Sequence, residues 1–401
     1  MSFIYLIIVL LSVRAHAEPY EQGSTSLADI HKIVNETLAT KWYERLQLRG
    51  YAQIRYNRLM ETNPDFNSSS TDRSIGSNKG FFLRRARLIL FGEVTDRAYI
   101  YIQPDYAQDS TAGSTPQNYL QIRDAYFDYA LSQDKEWRVR TGISKVPYGF
   151  SNLQSSSNRA PLDRDDALNT GAPNERDTGV FLMYAPTEVR KRFKDLANNT
   201  LKGSGDYGML AIGAYNGQTL NKPEENNDLH RVVRVTYPFK FASGQFIEAS
   251  LQAYEGKYKL STGQNFYDQR SALSFIYFPQ PFGLQVEYNV GTGPEYDKNM
   301  RAVTQKRLNG GYAQINYAHN YKNHRFYPYL RFQDYDGGRK LDNGNHFVTT
   351  EWELGSEWQP NSALELTVAY AISDRLVESG TSTQNIDERG QLLRLQAQFN
   401  Y

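Results

Sequence analysis

From Leu46 onward the chain keeps a period of two. Leu48, Gly50, Ala52, Ile54 and Tyr56 fall on one face of an extended segment, and Gln47, Arg49, Tyr51, Gln53, Arg55 and Asn57 on the other. Successive side chains of a strand point to opposite sides, so the first face suits lipid and the second water. The same reading predicts strands over 46–58, 80–94, 97–107, 118–131, 136–146, 177–186, 206–217 and 229–238. Eight more follow, over 244–256, 268–279, 283–291, 309–320, 325–335, 346–358, 363–373 and 389–401. The total is sixteen, an even number, as closure of a bacterial barrel requires. The connections alternate as well. Short links at 95–96, 132–135, 280–282, 321–324 and 359–362 are interleaved with long polar ones at 61–79, 108–117, 146–176, 218–228, 256–266, 292–308, 336–345 and 374–389. Short periplasmic turns and long outer loops are the asymmetry of outer-membrane barrels. The link 187–206 breaks the pattern, being long and basic (Arg190, Lys191, Arg192, Lys194) where a turn is due, and reads as a tolerated insertion.

Composition agrees with a strand-built membrane protein. Mean hydropathy is −0.64, yet the 401 residues include 30 Tyr and 20 Phe. Beyond the N-terminus there is no apolar run of about 20 residues, the length a membrane helix needs. A barrel reconciles these facts, because half of each strand faces a wet lumen and aromatic girdles mark both interfaces. The absence of Cys excludes thiol catalysis and Cys-based metal sites. A net charge of +1 excludes a globally basic nucleic-acid binder, so no nucleic-acid partner is expected.

Residues 1–17 read as a signal peptide, with an apolar stretch from Phe3 to Leu11 and the cleavage signature Ala15-His16-Ala17. The pattern lacks a Lys or Arg before the apolar run, and Arg14 sits close to the cut. Residues 18–44 form a periplasmic segment. Within it Leu27, Ile30, Val34, Leu38 and Trp42 recur at helical spacing, which predicts a short helix capped at Ser26. Residues 45–401 form the barrel. Its last strand alternates Leu393, Leu395, Ala397, Phe399 and Tyr401 out to the terminus and ends on an aromatic. The fold class is therefore all-β, a sixteen-stranded antiparallel transmembrane β-barrel with a short N-terminal helix, in contact with outer-membrane lipids.

Several stretches resemble the phosphate-selective porin O/P family. They are Gly80-Phe81-Phe82-Leu83-Arg84-Arg85-Ala86-Arg87-Leu88 with Gly92, Arg123-Asp124-Ala125-Tyr126 with Asp128-Tyr129, and Gly142, Lys145, Pro147, Tyr148 and Gly149. Arg176-Asp177-Thr178-Gly179-Val180, Ala214-Tyr215-Asn216-Gly217, Arg231 and Tyr237-Pro238 complete the set, in order across residues 46–240. The second half is similar only in its strand and loop rhythm. The resemblance implies a homotrimeric passive channel; whether its third long loop, 146–176, folds into the lumen the sequence leaves open. Members specific for phosphate carry an arginine ladder and a lysine cluster, which map onto this sequence only in part.

In a pore the working residues are inward-facing charges and the loop that narrows the lumen. Alternation makes the first half of the wall basic, with Arg49, Arg55, Arg85, Arg87, Arg138, Arg140 and Lys145 as the candidate anion path. Arginine forks match phosphate and carboxylate with two parallel hydrogen bonds. Arg159, Arg164 and Arg176 are the candidate cations of the constriction loop. The second half of the wall is acidic, with Glu248, Glu287, Glu351, Glu353 and Glu365 relieved by Arg234, Arg331 and Arg394. Such a split gives a transverse field, which fits a general diffusion pore better than a dedicated phosphate channel. The loop's origin beside the basic wall tips the expectation toward a weak preference for anions, with phosphate or other oxyanions as solutes. Inward Tyr51, Tyr99, Tyr101, Tyr327 and Tyr329 would serve the alternative, a sugar-conducting or non-selective porin.

No catalytic residues, metal ligands or cofactor are expected. His230, His319, His324 and His346 stand at scattered loops and turns, and Gly-x-Ser-x-Gly does not occur. Asp163, Asp165 and Asp166 resemble a calcium loop loosely, but Arg164 interrupts them. A barrel lipase or an adhesin is the more distant reading.

Overall fold

The computed structural model describes residues 41–64, 66, 75–77, 79–108, 118–198, 201–379 and 386–401. The chain divides into two units, 1–45 and 46–401. In the first, residues 41–45 carry a single 3-10 turn, Trp42–Arg45. The expected signal peptide and most of the expected helix over 26–44 lie outside the described residues.

The second unit is one antiparallel sheet closed on itself. Its strands are β1 (Leu46–Leu59), β2 (Phe82–Glu93), β3 (Ala98–Ala107), β4 (Tyr119–Ala130), β5 (Trp137–Lys145), β6 (Arg176–Tyr184), β7 (Leu210–Tyr215) and β8 (His230–Lys240). They continue as β9 (Phe246–Lys259), β10 (Asn265–Tyr277), β11 (Phe282–Asp297), β12 (Ala302–Tyr317, resumed as His319–Tyr321), β13 (His324–Arg339), β14 (Asn345–Asn361), β15 (Leu364–Glu378) and β16 (Ile386–Asn400). The two pieces of β12 both pair with β13, so they count once and the barrel has sixteen strands. Each strand pairs with its sequence neighbours, and β1 closes on β16 with Tyr51 opposite Asn400 and Ile54 opposite Ala397. The terminal residue joins the seam, for Gly50 and Tyr401 exchange backbone hydrogen bonds of 2.7 and 3.0 Å.

The alternation read from the sequence is the alternation of the wall. Leu48, Ile54, Leu251, Leu273 and Val290 face outward, while Tyr51, Gln53, Arg55, Gln252 and Asn289 are buried on the lumen side. Outward Tyr129, Trp137, Phe239, Phe282, Tyr317, Trp358 and Phe399 lie at the short-turn ends of their strands, forming a girdle at that interface.

Two expectations about the connections change. The links 256–266, 292–308, 336–345 and 374–389 begin and end in strand, because β9 runs to Lys259, β11 to Asp297, β13 to Arg339 and β15 to Glu378. Above the membrane both faces are wet, so period two fades from the sequence while the hydrogen-bond ladder continues. The link 187–206 is not an irregular insertion. It opens with a helix, α3 (Thr187–Asn198), which buries Val189, Phe193 and Leu196. It is numbered after α1 (Phe150–Leu153) and α2 (Asp166–Asn169), the two short helices of the connection 146–175.

Candidate functional site

The connection 146–175, hereafter loop 3, folds into the lumen. Its base is closed where Val146 donates to the Glu175 carbonyl at 3.0 Å. From there it crosses to the far wall. Tyr148 meets Tyr254 of β9 edge-on at 4.9 Å, and Phe150 reaches Phe278 beyond β10 at 6.2 Å. The Glu287 carboxylate of β11 accepts from the amides of Phe150 (2.6 Å) and Ser151 (2.7 Å), from Ser274 Oγ and from Tyr312 Oη. Farther along, Asp163 pairs with Arg55 of β1 at 3.1 Å and with Arg394 of β16. Arg331 of β13 donates to the Asp163 carbonyl, Gln333 accepts from the Asp166 amide, and Arg270 of β10 donates to Thr170 Oγ1. Much of the acidic half of the wall is thereby used. Glu287 clamps the loop, Glu248 pairs with Arg234, Glu351 with Arg375, and Glu353 accepts from Tyr329.

Three bulges add arginines to the lumen that strict alternation would send into lipid. Between β1 and β2 the register passes from Gln53–Arg85 to Ile54–Leu83, leaving Arg84 as the extra residue. Between β3 and β4 it passes from Gln103–Asp124 to Pro104–Ile122, leaving Arg123 extra. Between β1 and β16, Asn57 and Arg58 together oppose Arg394. A bulge bends its strand and re-aims a side chain. Arg58 and Arg123 are buried on the lumen side, and Arg84 lines the cavity above loop 3. The signal was in the sequence. An arginine facing the bilayer centre costs about 2–4 kcal/mol, so adjacent polar residues within a strand, as in Arg84-Arg85 and Arg123-Asp124, call for a break in register.

Loop 3 separates two cavities. The outer one has a volume of about 190 Å³, and its lining includes Arg84, Arg85, Arg87, Arg123, Arg159, Arg164, Lys340 and Arg375 beside Asp105, Asp163, Asp166 and Glu175. The inner one, toward the short-turn end, has a volume of about 710 Å³ and is lined by Arg49, Tyr101, Tyr126, Arg140, Lys145, Arg176, Asp206 and Glu365 among others. The inward aromatics do not form an open track. Tyr51 is bonded to Ser156 at 2.7 Å, Tyr327 and Tyr329 pack on Ala160, and Tyr101 lies stacked on Tyr126 at 5.2 Å. The Tyr126 ring also carries the Arg140 guanidinium at 4.0 Å.

A closed sixteen-stranded barrel narrowed by an inward loop is the architecture of a diffusion pore. The model of the family "Phosphate-selective porin O and P" matches residues 60–271 and 259–401. The chain belongs to this family. It is thus an outer-membrane porin, and its fold has solved counterparts. The outer membrane channel DcaP of Acinetobacter baumannii is 15% identical with a TM-score of 0.52, covering 89% of this chain and 97% of that one. OmpF of Salmonella typhi, solved with daunomycin, is 14% identical with a TM-score of 0.52 and the same coverage. The anion-selective porin from Comamonas acidovorans is 11% identical with a TM-score of 0.50, covering 89% of this chain and 99% of that one. Among curated proteins, none matches the sequence.

Within this porin the cations singled out from the sequence fall into three groups. Arg85, Arg87, Arg159 and Arg164 line the outer cavity, and Arg49, Arg140, Lys145 and Arg176 the inner one. Arg55 and Arg138 line neither cavity, holding Asp163 of loop 3 and Asp206 of the 187–206 link respectively. Four of the other eight are also paired: Arg87 with Asp105 (3.0 Å), Arg140 with Asp128 (2.7 Å), Arg164 with Glu175 (2.9 Å) and Arg176 with Asp124 and Glu175. Four have no ion-pair partner among the described residues. Arg49 rests over the Phe91 ring at 4.8 Å, Lys145 donates to the carbonyls of Leu153 and Gln154, and Arg159 donates to those of Pro161 and Leu162. Arg85 makes no hydrogen bond to a described residue, and its Nε is buried. Burial and the like charge of Arg164 pull Arg159 well below the usual guanidinium value; Asp163 opposes this and Arg85 adds to it.

Three buried carboxylates without a cation partner behave differently. Asp165 accepts from the Leu168 amide and Ser151 Oγ, Asp177 from the amides of Thr178, Gly217 and Thr219, and Glu287 from four donors. Their acceptor capacity is spent on the fold. Arg123, Lys340, Arg375 and Arg394 were not singled out as anion-path residues from the sequence. A bulge brings Arg123 into the outer cavity, and loop 3, crossing the barrel, brings Lys340, Arg375 and Arg394 to the same cavity as the first-half arginines.

Proposed function

We propose that this porin admits small hydrophilic solutes with a weak preference for anions, phosphate and other oxyanions among them. One asymmetry carries the reading. Beside loop 3, Arg85 Nε and Arg159 Nη1 are buried N–H donors without an acceptor, whereas Asp165 and Glu287, the carboxylates there without a cation partner, already accept two or more hydrogen bonds each, and Asp105, which has one buried oxygen without a donor, is paired with Arg87. A buried unsatisfied donor costs about 1–3 kcal/mol, and a passing oxyanion relieves that cost where a cation does not. A narrow, low-dielectric lumen amplifies such local charge beyond what the net charge suggests. The sugar-track alternative is disfavoured, since Tyr101 and Tyr126 stack on each other and the Tyr126 ring carries Arg140. The reading includes no enzymatic activity, because family and fold are those of channels.

The test is competition. Inorganic phosphate titrated into a chloride solution lowers the single-channel current of wild type at lower concentration than that of an Arg85→Gln/Arg159→Gln variant. Equal inhibition curves would reject the reading. We also propose a homotrimer, which rests on the family alone; monomer-sized mobility on an unheated gel in mild detergent would contradict it.

A further inference from the structure

The link between β6 and β7 has no part in the reading above, yet it crosses the lumen. Helix α3 is anchored at the short-turn end. The Thr187 amide donates to Glu136 Oε1 at 2.6 Å, and Arg190 donates to the Lys135 carbonyl at 2.9 Å. Its apolar face continues inward, where Leu196 and Leu201 pack with Phe150 of loop 3 and with Phe246, Ile276 and Phe278. The chain then turns tightly at Gly203, whose amide donates to the Leu196 carbonyl at 3.1 Å. A Cβ at Gly203 would lie 2.8 Å from the Leu196 carbonyl carbon, so this approach needs glycine.

Three bonds tie the turn to distant parts of the barrel. Gln154 Nε2 of loop 3 donates to the Lys202 carbonyl at 2.5 Å, and Asn158 Nδ2 donates to the Gly203 carbonyl at 3.0 Å. Lys202 Nζ reaches Glu357 Oε1 of β14 at 2.6 Å, with the two side chains 3% and 2% exposed. In the order of the closed sheet β14 stands on the wall opposite β6 and β7. The segment therefore spans the lumen beneath loop 3. Gly203, Ser204 and Gly205 line the inner cavity. Asp206 turns back to Arg138 at 2.7 Å and Arg190 at 3.0 Å, so the segment neutralises a charge on each wall.

We propose that residues 187–198 and 201–208 are a second constriction element, a strap across the periplasmic mouth that braces loop 3 from below and sets the conductance of the pore. The strap occupies lumen cross-section directly. It also denies loop 3 the room to move toward the periplasm, because Gln154 and Asn158 rest on its backbone. A tolerated surface insertion would show neither the buried ion pair to the opposite wall nor a shared apolar cluster with loop 3.

Two full-length variants test this in planar bilayers, each first checked for barrel assembly by heat-modifiable gel mobility. In one, residues 187–206 are replaced by a two-residue turn. In the other, Lys202→Met with Glu357→Gln removes the cross-lumen pair without leaving a buried lone charge. The strap predicts at least a twofold rise in single-channel conductance for the first, and for the second a noisier open state with raised conductance. Wild-type conductance in an assembled replacement variant overturns the proposal. If that variant does not assemble, wild-type conductance and noise in the paired substitution overturn it. Both readouts are sizes and fluctuations of current rather than ion preference, so their failure leaves the arginine reading standing.

Discussion

Replacing Glu287 by Ala separates two roles that an inward glutamate can have, holding the loop or attracting cations. Its carboxylate takes the Phe150 and Ser151 amides at 2.6 and 2.7 Å, and the side chain is buried. Removing it leaves two buried backbone N–H groups without their acceptor, at about 1–3 kcal/mol each. Ser274 and Tyr312 lose an acceptor as well, but their hydroxyls rotate. The expected cost is about 2–6 kcal/mol, concentrated at residues 148–153. Loop 3 stays in the lumen, since Arg55, Arg394, Arg331 and Arg270 still hold its distal half. Its first turn loosens. In single-channel recordings the Glu287→Ala pore flickers, with a higher mean conductance than wild type, and Glu287→Gln, which retains a carbonyl acceptor, lies between them. If Glu287→Ala instead shows wild-type conductance and noise while its zero-current potential moves toward anions, Glu287 is a field-setting residue and the clamp argument fails.

The loop's other anchors make it tolerant of acid. Burial alone would raise the pKa of Asp163 and Glu175, but Arg394 and Arg55 around the first, and Arg164, Arg123 and Arg176 around the second, hold both well below the usual carboxylate range. Groups depressed in the folded state contribute stability that is lost only as pH falls through the depressed value. In Glu287→Gln, whose first-turn anchor does not titrate, noise should therefore stay flat from neutral pH to about 4, and loosening already between about 6 and 5 would contradict the pairing. The barrel wall makes a separate claim. Leu251→Arg on the outward face of β9 should cost up to about 2–4 kcal/mol in urea unfolding from lipid vesicles. Gln121→Arg, facing the outer cavity, should change stability by about 0.5 kcal/mol or less; equal costs would mean the faces are misassigned.

The strands were legible because lipid on one side and water on the other force period two, as in Leu48 through Asn57. Where that contrast ends the signal ends, which is why the upper parts of β11 and β12 read as loop though their ladder runs on from Gly291–Leu308 to Asp297–Ala302. Helix α3 was visible in principle, since Val189, Phe193 and Leu196 keep helical spacing. The expectation of a turn there hid it. What no periodicity carries is pairing across the lumen. Arg55 meets Asp163 and Lys202 meets Glu357 only because two connections fold inward. The division of the wall into basic and acidic halves is what the sequence alone offers. It did not show that much of the acidic half is spent holding loop 3, or that Arg87 and Arg140 are spoken for while Arg85 is not.

The central claim, that the cations left unpaired at loop 3 set the pore's preference, is tested most directly by the zero-current potential of the wild-type porin across a planar bilayer under a KCl gradient. The account predicts a potential of the sign that marks chloride as the more permeant ion, moving toward zero in Arg85→Gln/Arg159→Gln. A wild-type potential of the opposite sign, or one that the paired substitution leaves unchanged, would contradict it.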